Sequence, residues 1–506
     1  MLASAINELS RLLSGYILQP GDPDYEAAIQ IDNGRIQFRP RLIIFPATIE
    51  DVQLSMKFAI DENLPFSVKG GGHSAAGYCM NEGGVVVAMK NLNKIAFNAS
   101  AQTVTMQMGV IWYDVYKFMQ DTGTGLIPIG GGCPTVAPPG FMLGGGYSFV
   151  SRSYGMSIDN LVSLKLITPD GELRHVGEHS TDSEDIDLFW ACRGGGGGNF
   201  GIATEMEIRV RQPYSPLMLV GQIRYHLEQA EEVLGYYNDW VEKIPDTMAV
   251  YGYMGNQKDL VNKTTNVKVL GLTPVFNGDG AEGMDLLQGL LKMKPINADL
   301  YNMTLPNWEF FNGNTTKVAG RASYIRSTVL PKGGMNNGVA RVIIDALNNA
   351  PSPESFAVWT LTGGEMEKVS PNATAYVHRH SRFVPEIKSI WDLDKPGETM
   401  ANVQWAYDFF QAMALAGNAT GAYVNYIDPL QHDWAKMYYG ENYPRLLSIK
   451  KKVDPHNFFN FQQSVGSPFN PPPPPLTDIS PLNRTQLPSP MAAAPVSTKE
   501  AVASLS

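Results

Sequence analysis

Two nucleophilic side chains each follow a run of three glycines. His73 ends the triple glycine of GGGHSAAGY, and Cys133 ends that of PIGGGCPTVAPPG. Neutral imidazole and thiolate are both nucleophiles that can bond to an electron-poor ring. The alternative for the pair is ordinary structure, because a loop histidine is usually solvated and a buried cysteine usually packs as a small apolar side chain. The shared setting favours the chemical interpretation, in which each nucleophile faces whatever the glycines enclose.

Three glycine clusters dominate this part of the chain. They lie at residues 70–79, 128–149 and 192–201. Glycine lets backbone N–H groups come close to a ligand, so the loops together could wrap a pyrophosphate and a planar ring. None matches the P-loop pattern, and a Rossmann fingerprint would be one turn after the first strand. The alternative, that all three clusters are only tight turns or bulges, is less favoured for three clusters than for one.

The totals describe a globular protein of several domains. The chain has 506 residues, 44% of them hydrophobic and 17% charged, with a formal net charge of −10. This length predicts two or three domains, and the acidic balance argues against nucleic acid or an anionic membrane as partner. No apolar run approaches the roughly 18 residues of a membrane-spanning helix. We therefore expect no nucleic-acid partner and no membrane partner.

The compartment stays open between cytoplasmic and secreted. The N-terminus lacks the basic start and unbroken apolar core of a secretory signal, and it reads as a short amphipathic helix. The chain holds 3 cysteines, which is too few for a disulfide-built fold, and no CxxC pair suggests zinc. Seven sequons point toward secretion, at Asn98, Asn262, Asn302, Asn314, Asn372, Asn418 and Asn483.

The texture of the sequence divides the chain into five parts. Residues 1–35 form a helical lead-in, and residues 36–214 alternate short β-rich runs, helix patterns and glycine turns. Residues 215–435 alternate longer strand patterns with helices, which predicts an α+β domain with an antiparallel sheet and helices on one face. Residues 436–466 return to short charged and aromatic elements, and the proline-rich residues 467–506 are predicted to be disordered.

The motifs of the first domain, taken together, resemble a known family. The sequence runs RPRLIIFPATIEDVQ, GGGHSAAGY, GVVVAMKNLNKI, GGGCPTVAPPGFMLGGGYSF and LFWACRGGGGGNFGIAT. This series is similar to the PCMH-type FAD-binding domain of the vanillyl-alcohol-oxidase superfamily, and it resembles most the berberine bridge enzyme-like branch. YVNYIDP at 423–429 and the segment 438–465 resemble that branch's closing segment. The resemblance implies an α+β fold with a two-subdomain FAD-binding domain at 36–214, a substrate domain at 215–435, and a closing segment that returns to the FAD domain.

The resemblance also implies a doubly attached flavin. His73 would bond the 8α-methyl of FAD, and Cys133 would bond C6 of the same ring. Loops at 68–77, 140–147 and 195–202 would hold the pyrophosphate and ribose. The implied cofactor contacts, besides the two bonded residues, are Gly70, Gly71, Gly72, Ser74, Gly77, Gly140, Gly144, Gly145, Gly146, Tyr147, Gly198, Asn199, Gly201, Ile202, Asn457 and Phe459.

The same resemblance places a general base at Tyr426. A phenol has a pKa near 10, so a neighbour must tune it to act near neutral pH. We predict Glu365 as that acidic neighbour, with Glu367 as the alternative. Tyr423 is predicted to act beside Tyr426 in the catalytic group, where it would shape the cleft with Asn425. The alternative for both tyrosines is aromatic packing in a sheet.

Two histidines at alternating positions invite a metal interpretation. His378 and His380 of AYVHRHSRF would share one face of a strand, but no carboxylate or cysteine spacing completes a site. We therefore predict that they are structural and that the protein has no metal site.

The implied reaction is hydride transfer from a small molecule to flavin N5. The substrate would be an alcohol, a hemiacetal or an activated C–H of a sugar or of a polyketide- or alkaloid-like metabolite, and O2 would reoxidise the flavin to give hydrogen peroxide. One alternative is a dehydrogenase that uses an acceptor other than O2. Another is a flavin-bearing binding protein whose chemistry has decayed. We expect a monomer.

Overall fold

A computed structural model describes residues 2–258, 266–312 and 321–467. The predicted proline-rich tail, apart from Ser467, and the sequons at Asn262, Asn314 and Asn483 lie outside these residues. Within them the chain forms three β-sheets with helices packed against them. The α+β fold class predicted from the sequence is confirmed. None of the helices in these ranges is long and apolar enough to cross a membrane.

The first sheet belongs to the N-terminal part of the chain. Its elements are α1 (Leu2–Leu12), β1 (Tyr16–Leu18), α2 (Tyr25–Ala28), β2 (Leu42–Phe45), α3 (Ile49–Asp61), β3 (Phe66–Lys69) and β4 (Val85–Ala88). The strand order is β1-β2-β4-β3, parallel except for the β1–β2 pair. The predicted lead-in is therefore part of this subdomain, because β1 pairs with β2 and α1 packs on α3.

The position of the first glycine cluster follows from this sheet. Helix α3 begins at a capping box, in which Thr48 and Asp51 satisfy each other's backbone N–H groups. The helix returns the chain to β3, whose last residue is Lys69. The GGGH segment starts at the next residue. His73 thus leaves the carboxyl end of a parallel strand, where such folds commonly bind ligands.

The second sheet carries the other two glycine clusters. Its elements are β5 (Ile95–Asn98), β6 (Thr103–Gln107), α4 (Trp112–Asp121), β7 (Ile127–Pro128), α5 (Pro138–Leu143), α6 (Ser151–Tyr154), β8 (Leu161–Ile167), β9 (Leu173–Gly177), α7 (Ser183–Ala191) and β10 (Ile202–Arg211). The order is β5-β6-β10-β8-β9, and β7 pairs with β10. All of these pairs are antiparallel.

The third sheet is antiparallel and forms the centre of the second domain. Its strands are β11 (Met218–His226), β12 (Met248–Lys258), β13 (Asn266–Phe276), β14 (Asn297–Met303), β15 (Ala322–Ser327), β16 (Phe356–Leu361) and β17 (Phe383–Trp391). Among the described residues the order is β14-β11-β13-β12-β16-β17-β15. The helices of this domain are α8 (Ala230–Trp240), α9 (Gly280–Lys292), α10 (Leu305–Asn312), α11 (Asn337–Asn348), α12 (Glu365–Lys368) and α13 (Thr399–Ala416).

The two faces of this sheet pack against different partners. On β11, Leu219 and Ile223 join the core formed with α8, α9, α11 and α13. Met218 and Val220 point the other way and pack with Ile129 and Phe149, which belong to the part of the chain that forms the second sheet. This alternation is the period of two expected of a strand covered on both sides. The sheet therefore presents one face to its own helices and the other to the glycine-rich loops.

The last described elements return to the first domain. Helices α14 (Trp434–Tyr439) and α15 (Tyr443–Val453) precede an irregular segment. The ammonium of Lys450 is buried and donates to the carbonyls of Asn199 (2.7 Å) and Phe459 (2.6 Å) and to the Asp454 carboxylate (2.7 Å). These bonds fasten the closing segment to the third glycine cluster.

Candidate active site

The first two glycine clusters lie back to back. A β-carbon added to Gly71 would come within 2.8 Å of the Thr135 carbonyl oxygen and 2.9 Å of the Ala137 nitrogen. One added to Gly70 would lie 3.2 Å from the Ala137 β-carbon. Real side chains do not tolerate the shorter of these separations, so the contact between the loops depends on glycine at 71. This packing brings the two predicted nucleophiles together.

His73 and Cys133 share one polar neighbour. His73 Nε2 lies 3.0 Å from Thr135 Oγ1, and Cys133 Sγ lies 3.6 Å from the same hydroxyl. Cys133 is exposed, and the His73 side chain is about a quarter exposed (26%). The sequence analysis missed Thr135, although its position two residues after Cys133 was a usable signal. The structure therefore brings together the two residues whose similarity was first noticed in sequence.

The surroundings of His73 favour a neutral imidazole. Burial lowers the pKa of His73, the Asp32 carboxylate raises it, and the Lys388 ammonium lowers it further. Asp32 Oδ1 lies 4.0 Å from His73 Nδ1, and Lys388 Nζ lies 3.8 Å from Asp32 Oδ2. A neutral ring keeps a free lone pair on one nitrogen, which is what a nucleophile needs.

The glycine loops leave room for a large polar ligand. A β-carbon at Gly140 would meet nothing within 4 Å, and one at Gly197 would find its nearest atom at 4.0 Å. Gly146 and Gly198 have φ of 89° and 74°, so their backbone takes a conformation that favours glycine. The buried Asn457 Oδ1 has no hydrogen-bond partner among the described residues. Open loops with a free buried acceptor fit the polar parts of FAD.

Other predicted cofactor residues shape the turns themselves. Ser74 Oγ accepts from the Tyr78 N–H at 3.1 Å, and the Gly77 N–H donates to the Ser74 carbonyl at 3.0 Å. The Gly72 carbonyl accepts from the Asp32 N–H at 3.0 Å. Gly201 packs on the Ile167 carbonyl, where an added β-carbon would lie 2.6 Å away, and Ile202 begins β10 with a buried side chain. These contacts fix the shape of the loops.

Asn199 and Phe459 have structural partners in the protein. Asn199 Nδ2 donates to the Gly195 carbonyl at 3.0 Å, and its Oδ1 accepts from the Val465 N–H at 2.8 Å. The Phe459 ring is buried against Phe66. The aromatic ring beside Gly198 belongs instead to Phe461, 3.5 Å from the position of an added β-carbon. Phe461 was not predicted, although it lies in the same FFNF motif.

A tyrosine–glutamate pair lies on the substrate-domain side. Tyr426 is the last residue of the short turn 424–426, and Glu386 lies on β17. The two side chains lie close enough to interact electrostatically, and both are half-buried. Burial, and then the charge of Glu386, raise the pKa of Tyr426 well above its usual value. Burial raises the pKa of Glu386, while the charge of Lys388 and the hydroxyl of Tyr426 act to lower it.

The acidic neighbour predicted for Tyr426 was wrong. Glu365 lies on the short surface helix α12, where it pairs with Lys368. Glu367, the alternative, pairs with Lys332 at 2.9 Å. The two carboxylates of the TGGEMEKVS segment thus form ion pairs with exposed lysines. The carboxyl group at Tyr426 is that of Glu386, which sequence analysis missed because it lies 40 residues away on a strand whose pairing was not known.

Tyr423 has a different task from the catalytic one predicted. Its hydroxyl oxygen accepts from the Gly146 N–H at 2.8 Å and from Asn425 Nδ2 at 2.8 Å. A hydroxyl has two acceptor sites, so both are filled and Tyr423 cannot accept a substrate proton. An added β-carbon at Gly144 would collide with Asn425 Oδ1, and one at Gly145 would come within 3.2 Å of the Tyr423 ring. Tyr423 and Asn425 therefore hold residues 144–146, in the second glycine cluster, in place.

Tyr147 lies in the same aromatic group. Its hydroxyl forms a hydrogen bond with that of Tyr376, and its ring centre lies 4.8 Å from that of Tyr423. Burial raises the pKa of Tyr147 well above its usual value. The hydroxyl is thus directed toward Tyr376, which was not predicted, within a buried cluster that also includes Met156 and Met366.

Neither of the two histidines lies on a strand, because β17 begins only at Phe383, and His380 is exposed. His378 Nε2 donates to the Met437 carbonyl at 3.0 Å, and burial lowers the pKa of His378 to about 4. In the three described ranges no group of three or more histidine, cysteine or carboxylate side chains has the geometry to hold a metal ion.

Comparison with known proteins places the chain in a family. A family model described as FAD binding domain matches residues 40–177, and one described as Berberine and berberine like matches residues 422–466. The FAD-linked oxidoreductase YgaK of Bacillus subtilis (strain 168) is 29% identical, over 90% of this chain and 97% of its own length. Berberine bridge enzyme-like C-2 of Nicotiana tabacum is 26% identical, over 84% of this chain and 85% of its own. The structure of Physcomitrella patens BBE-like 1 superposes with a TM-score of 0.82 at 23% identity, over 93% of this chain and 100% of that chain. The chain belongs to the berberine bridge enzyme-like FAD-linked oxidoreductases.

Proposed function

We propose that this FAD-linked oxidoreductase is an oxidase that removes a hydride and a proton from a hydroxyl-bearing small molecule. The substrate is an alcohol or a hemiacetal of a sugar or a secondary metabolite. His73 and Cys133 each hold the flavin by a covalent bond. The electrons pass to O2, which gives hydrogen peroxide.

The pairing of the Tyr426 hydroxyl with the Glu386 carboxyl group carries this proposal. Oxidation of a hydroxyl group requires a base for the O–H proton, and a general base must lie within hydrogen-bond reach of it. Tyr426 offers a half-buried hydroxyl backed by a carboxylate. The same pair argues against a protein whose chemistry has decayed, because a raised pKa on two contacting groups is a feature of functional sites.

The proton moves in two coupled transfers. The raised pKa of Tyr426 keeps its phenol protonated near neutral pH, so Tyr426 does not start as a phenolate. It accepts the substrate proton as it passes its own to Glu386. Lys388 favours the ionised form of Glu386 and opposes the effect of burial. The carboxylate is therefore the final proton acceptor, and the tyrosine is the group that touches the substrate.

FAD supplies the hydride acceptor and the link to O2 when it is bound. The protein's own contribution is position. The packing of Gly71 on Thr135 and Ala137 fixes His73 and Cys133, while Tyr423 fixes Gly146 from the opposite side. Effective molarities of well-oriented groups are large, so holding the base and the acceptor in one rigid frame contributes much of the acceleration.

Two measurements test the proposal. The first is mass spectrometry of a proteolytic digest, and we expect one flavin-bearing product that joins the peptides around His73 and Cys133. Fully extractable FAD would overturn the covalent part. The second is a screen of sugars and alcohols that compares peroxide release in air with dye reduction without oxygen.

The outcomes of the screen separate the candidate functions. Peroxide formed in proportion to substrate supports the oxidase. Reduction of the dye with little peroxide would replace it by a dehydrogenase that uses another acceptor. Absence of turnover with every donor, in protein that carries flavin, would support a binding protein.

A further inference from the structure

The segment that carries Asp32 is fixed beside His73 by three hydrogen bonds. The Asp32 N–H donates to the Gly72 carbonyl at 3.0 Å, one residue before His73. The next residue, Asn33, donates from Nδ2 to the Ala75 carbonyl at 2.9 Å and accepts from the Ser323 N–H at 3.1 Å. The segment is therefore fixed between the first glycine cluster and β15. The proton route through Tyr426 and Glu386 makes no use of it.

Lys388 completes the arrangement from the opposite side. It lies two residues after Glu386 on β17, so both side chains project from one face of that strand. Its ammonium lies 3.8 Å from Asp32 Oδ2, and its side chain is 13% exposed. The Asp32 carboxylate thus lies between the partly buried ammonium of Lys388 and the imidazole of His73, and it places negative charge at the His73 ring.

We propose that Asp32 is the positioning residue for covalent attachment of the flavin at His73, and that Lys388 holds Asp32 in place. This inference rests on the covalent bond at His73 in the proposed function. It concerns how that bond forms and does not depend on which substrate the enzyme oxidises.

The attachment reaction explains why a carboxylate is needed. One bond forms, between an imidazole nitrogen and the 8α carbon of the flavin. One C–H bond of the 8α methyl and one N–H bond of the imidazole break. Two electrons and the two protons end in the flavin ring system, which is left reduced, and O2 then reoxidises it. Positive charge develops on the imidazole until its proton departs.

Both ring nitrogens of His73 already have partners for this reaction. Nδ1 faces Asp32 at 4.0 Å, and Nε2 faces the Thr135 hydroxyl at 3.0 Å. Whichever nitrogen forms the bond, the Asp32 carboxylate stabilises the charge on the ring. Carboxylates behind ligating histidines act in the same way, and their loss typically costs about 10–100-fold in affinity or activity.

The experiment follows attachment itself, in the full-length protein. The Cys133→Ala variant keeps only His73 as a proposed attachment point. The His73→Ala variant keeps only Cys133. Protein synthesis is stopped in the expressing cells, and the protein is purified at intervals after that time. The flavin that stays with the denatured chain is then measured by its fluorescence and mass.

We expect Asp32→Asn to slow attachment in the Cys133→Ala background by about 10–100-fold. Asp32→Glu should restore part of the rate, and Lys388→Met should slow it less than Asp32→Asn. In the His73→Ala background Asp32→Asn should leave the rate of attachment unchanged, because Cys133 does not contact Asp32.

Three results would overturn the inference. If Asp32→Asn in the Cys133→Ala background attaches flavin as fast as its parent, the Asp32 carboxylate has no role in attachment. Equal slowing in both backgrounds would show a general effect on folding or FAD binding. A denatured Cys133→Ala chain that carries no flavin would remove the bond at His73 itself, and with it the covalent part of the proposed function. Since no substrate enters this assay, the oxidase proposal can fail while the inference stands.

Discussion

The two sides of the site are built from different materials. The attachment region consists of residues 70–73 and 133–137. The proton-transfer region, on the other side, consists of Tyr426 and Glu386. In the attachment region backbone packs on backbone, as at Gly71 against the Thr135 carbonyl. In the proton-transfer region two ionisable side chains meet, and burial raises the pKa of each.

This difference predicts which kind of substitution each region tolerates, one that adds volume or one that removes charge. Closely packed backbone is sensitive to added volume, because a single methyl group has nowhere to go. A half-buried ionisable pair is sensitive to charge and can accept an isosteric neutral group without loss of the fold. The attachment region should therefore respond to size, and the proton-transfer region should respond to charge.

The largest effect is expected from Tyr426→Phe. The substitution removes the hydroxyl that contacts the substrate, while the ring that packs edge-on against Tyr423 is kept. We expect the rate of flavin reduction by substrate, measured by anaerobic stopped flow, to fall by about 10²–10⁴-fold, the usual range for a general base. The covalent flavin should be retained. A loss of only a few fold would move the base elsewhere.

Glu386→Gln should lower the same rate by about 10²-fold, the lower end of that range, because Tyr426 remains to contact the substrate. The active form of Glu386 is ionised. Its raised pKa places the acidic limb of the pH–rate profile above the ordinary glutamate value of about 4.5, and the rate rises as pH rises through it. The variant should lose this limb. A variant that keeps the wild-type profile would contradict the two-step proton route.

Gly71→Ala tests the attachment region by volume alone. The new β-carbon would lie 2.8 Å from a carbonyl oxygen, so the two loops must separate. We expect unfolding to become easier by about 1–3 kcal/mol, as for other overpacked sites, and less flavin to be held covalently. Gly397→Ala is the matched control, since its β-carbon would meet nothing within 4 Å. Equal behaviour of the two variants in thermal unfolding and flavin content would break the comparison.

The smallest effect is expected from Glu365→Gln. This side chain is 43% exposed and pairs with Lys368 at the surface. Stability should change by no more than about 0.5 kcal/mol, and the rate of substrate oxidation should be unchanged. The variant serves as the charge-matched control for Glu386→Gln. A large loss of rate in it would return Glu365 to the role first predicted.

The parts of the site that sequence could predict are local. His73 and Cys133 stand directly after their glycines, so one segment displays both the turn and the nucleophile. Glu386 could not be found in this way, because its partner Tyr426 meets it only through the pairing of β17 and the return of the chain at 424–426. Glu365 was chosen for its polar neighbourhood, which turned out to be a surface helix.

The fold, like the site, could be predicted where it depends on local sequence and not where it depends on contacts between distant segments. The alternating patterns were sufficient to predict an α+β fold with an antiparallel second domain, since each element carries its own periodicity. The strand order β14-β11-β13-β12-β16-β17-β15 was beyond reach, because it depends on pairings between distant segments. Asp32 shows the limit well: it lies in what looked like a lead-in, yet it contacts the first glycine cluster.

The buried Lys450 has a consequence for how the molecule is made. The FAD-binding part is synthesised before the substrate domain, and domains made first usually fold first. Here Leu446, Ile449, Phe459 and Val465 belong to the same core as β8 and β10, and the ammonium of Lys450 closes the loop that ends at Asn199. These last pieces of the core therefore leave the ribosome only after the whole substrate domain has been synthesised. The core of the FAD-binding domain is therefore complete only once the closing segment has been made, because segments on both sides of the substrate domain form that core together.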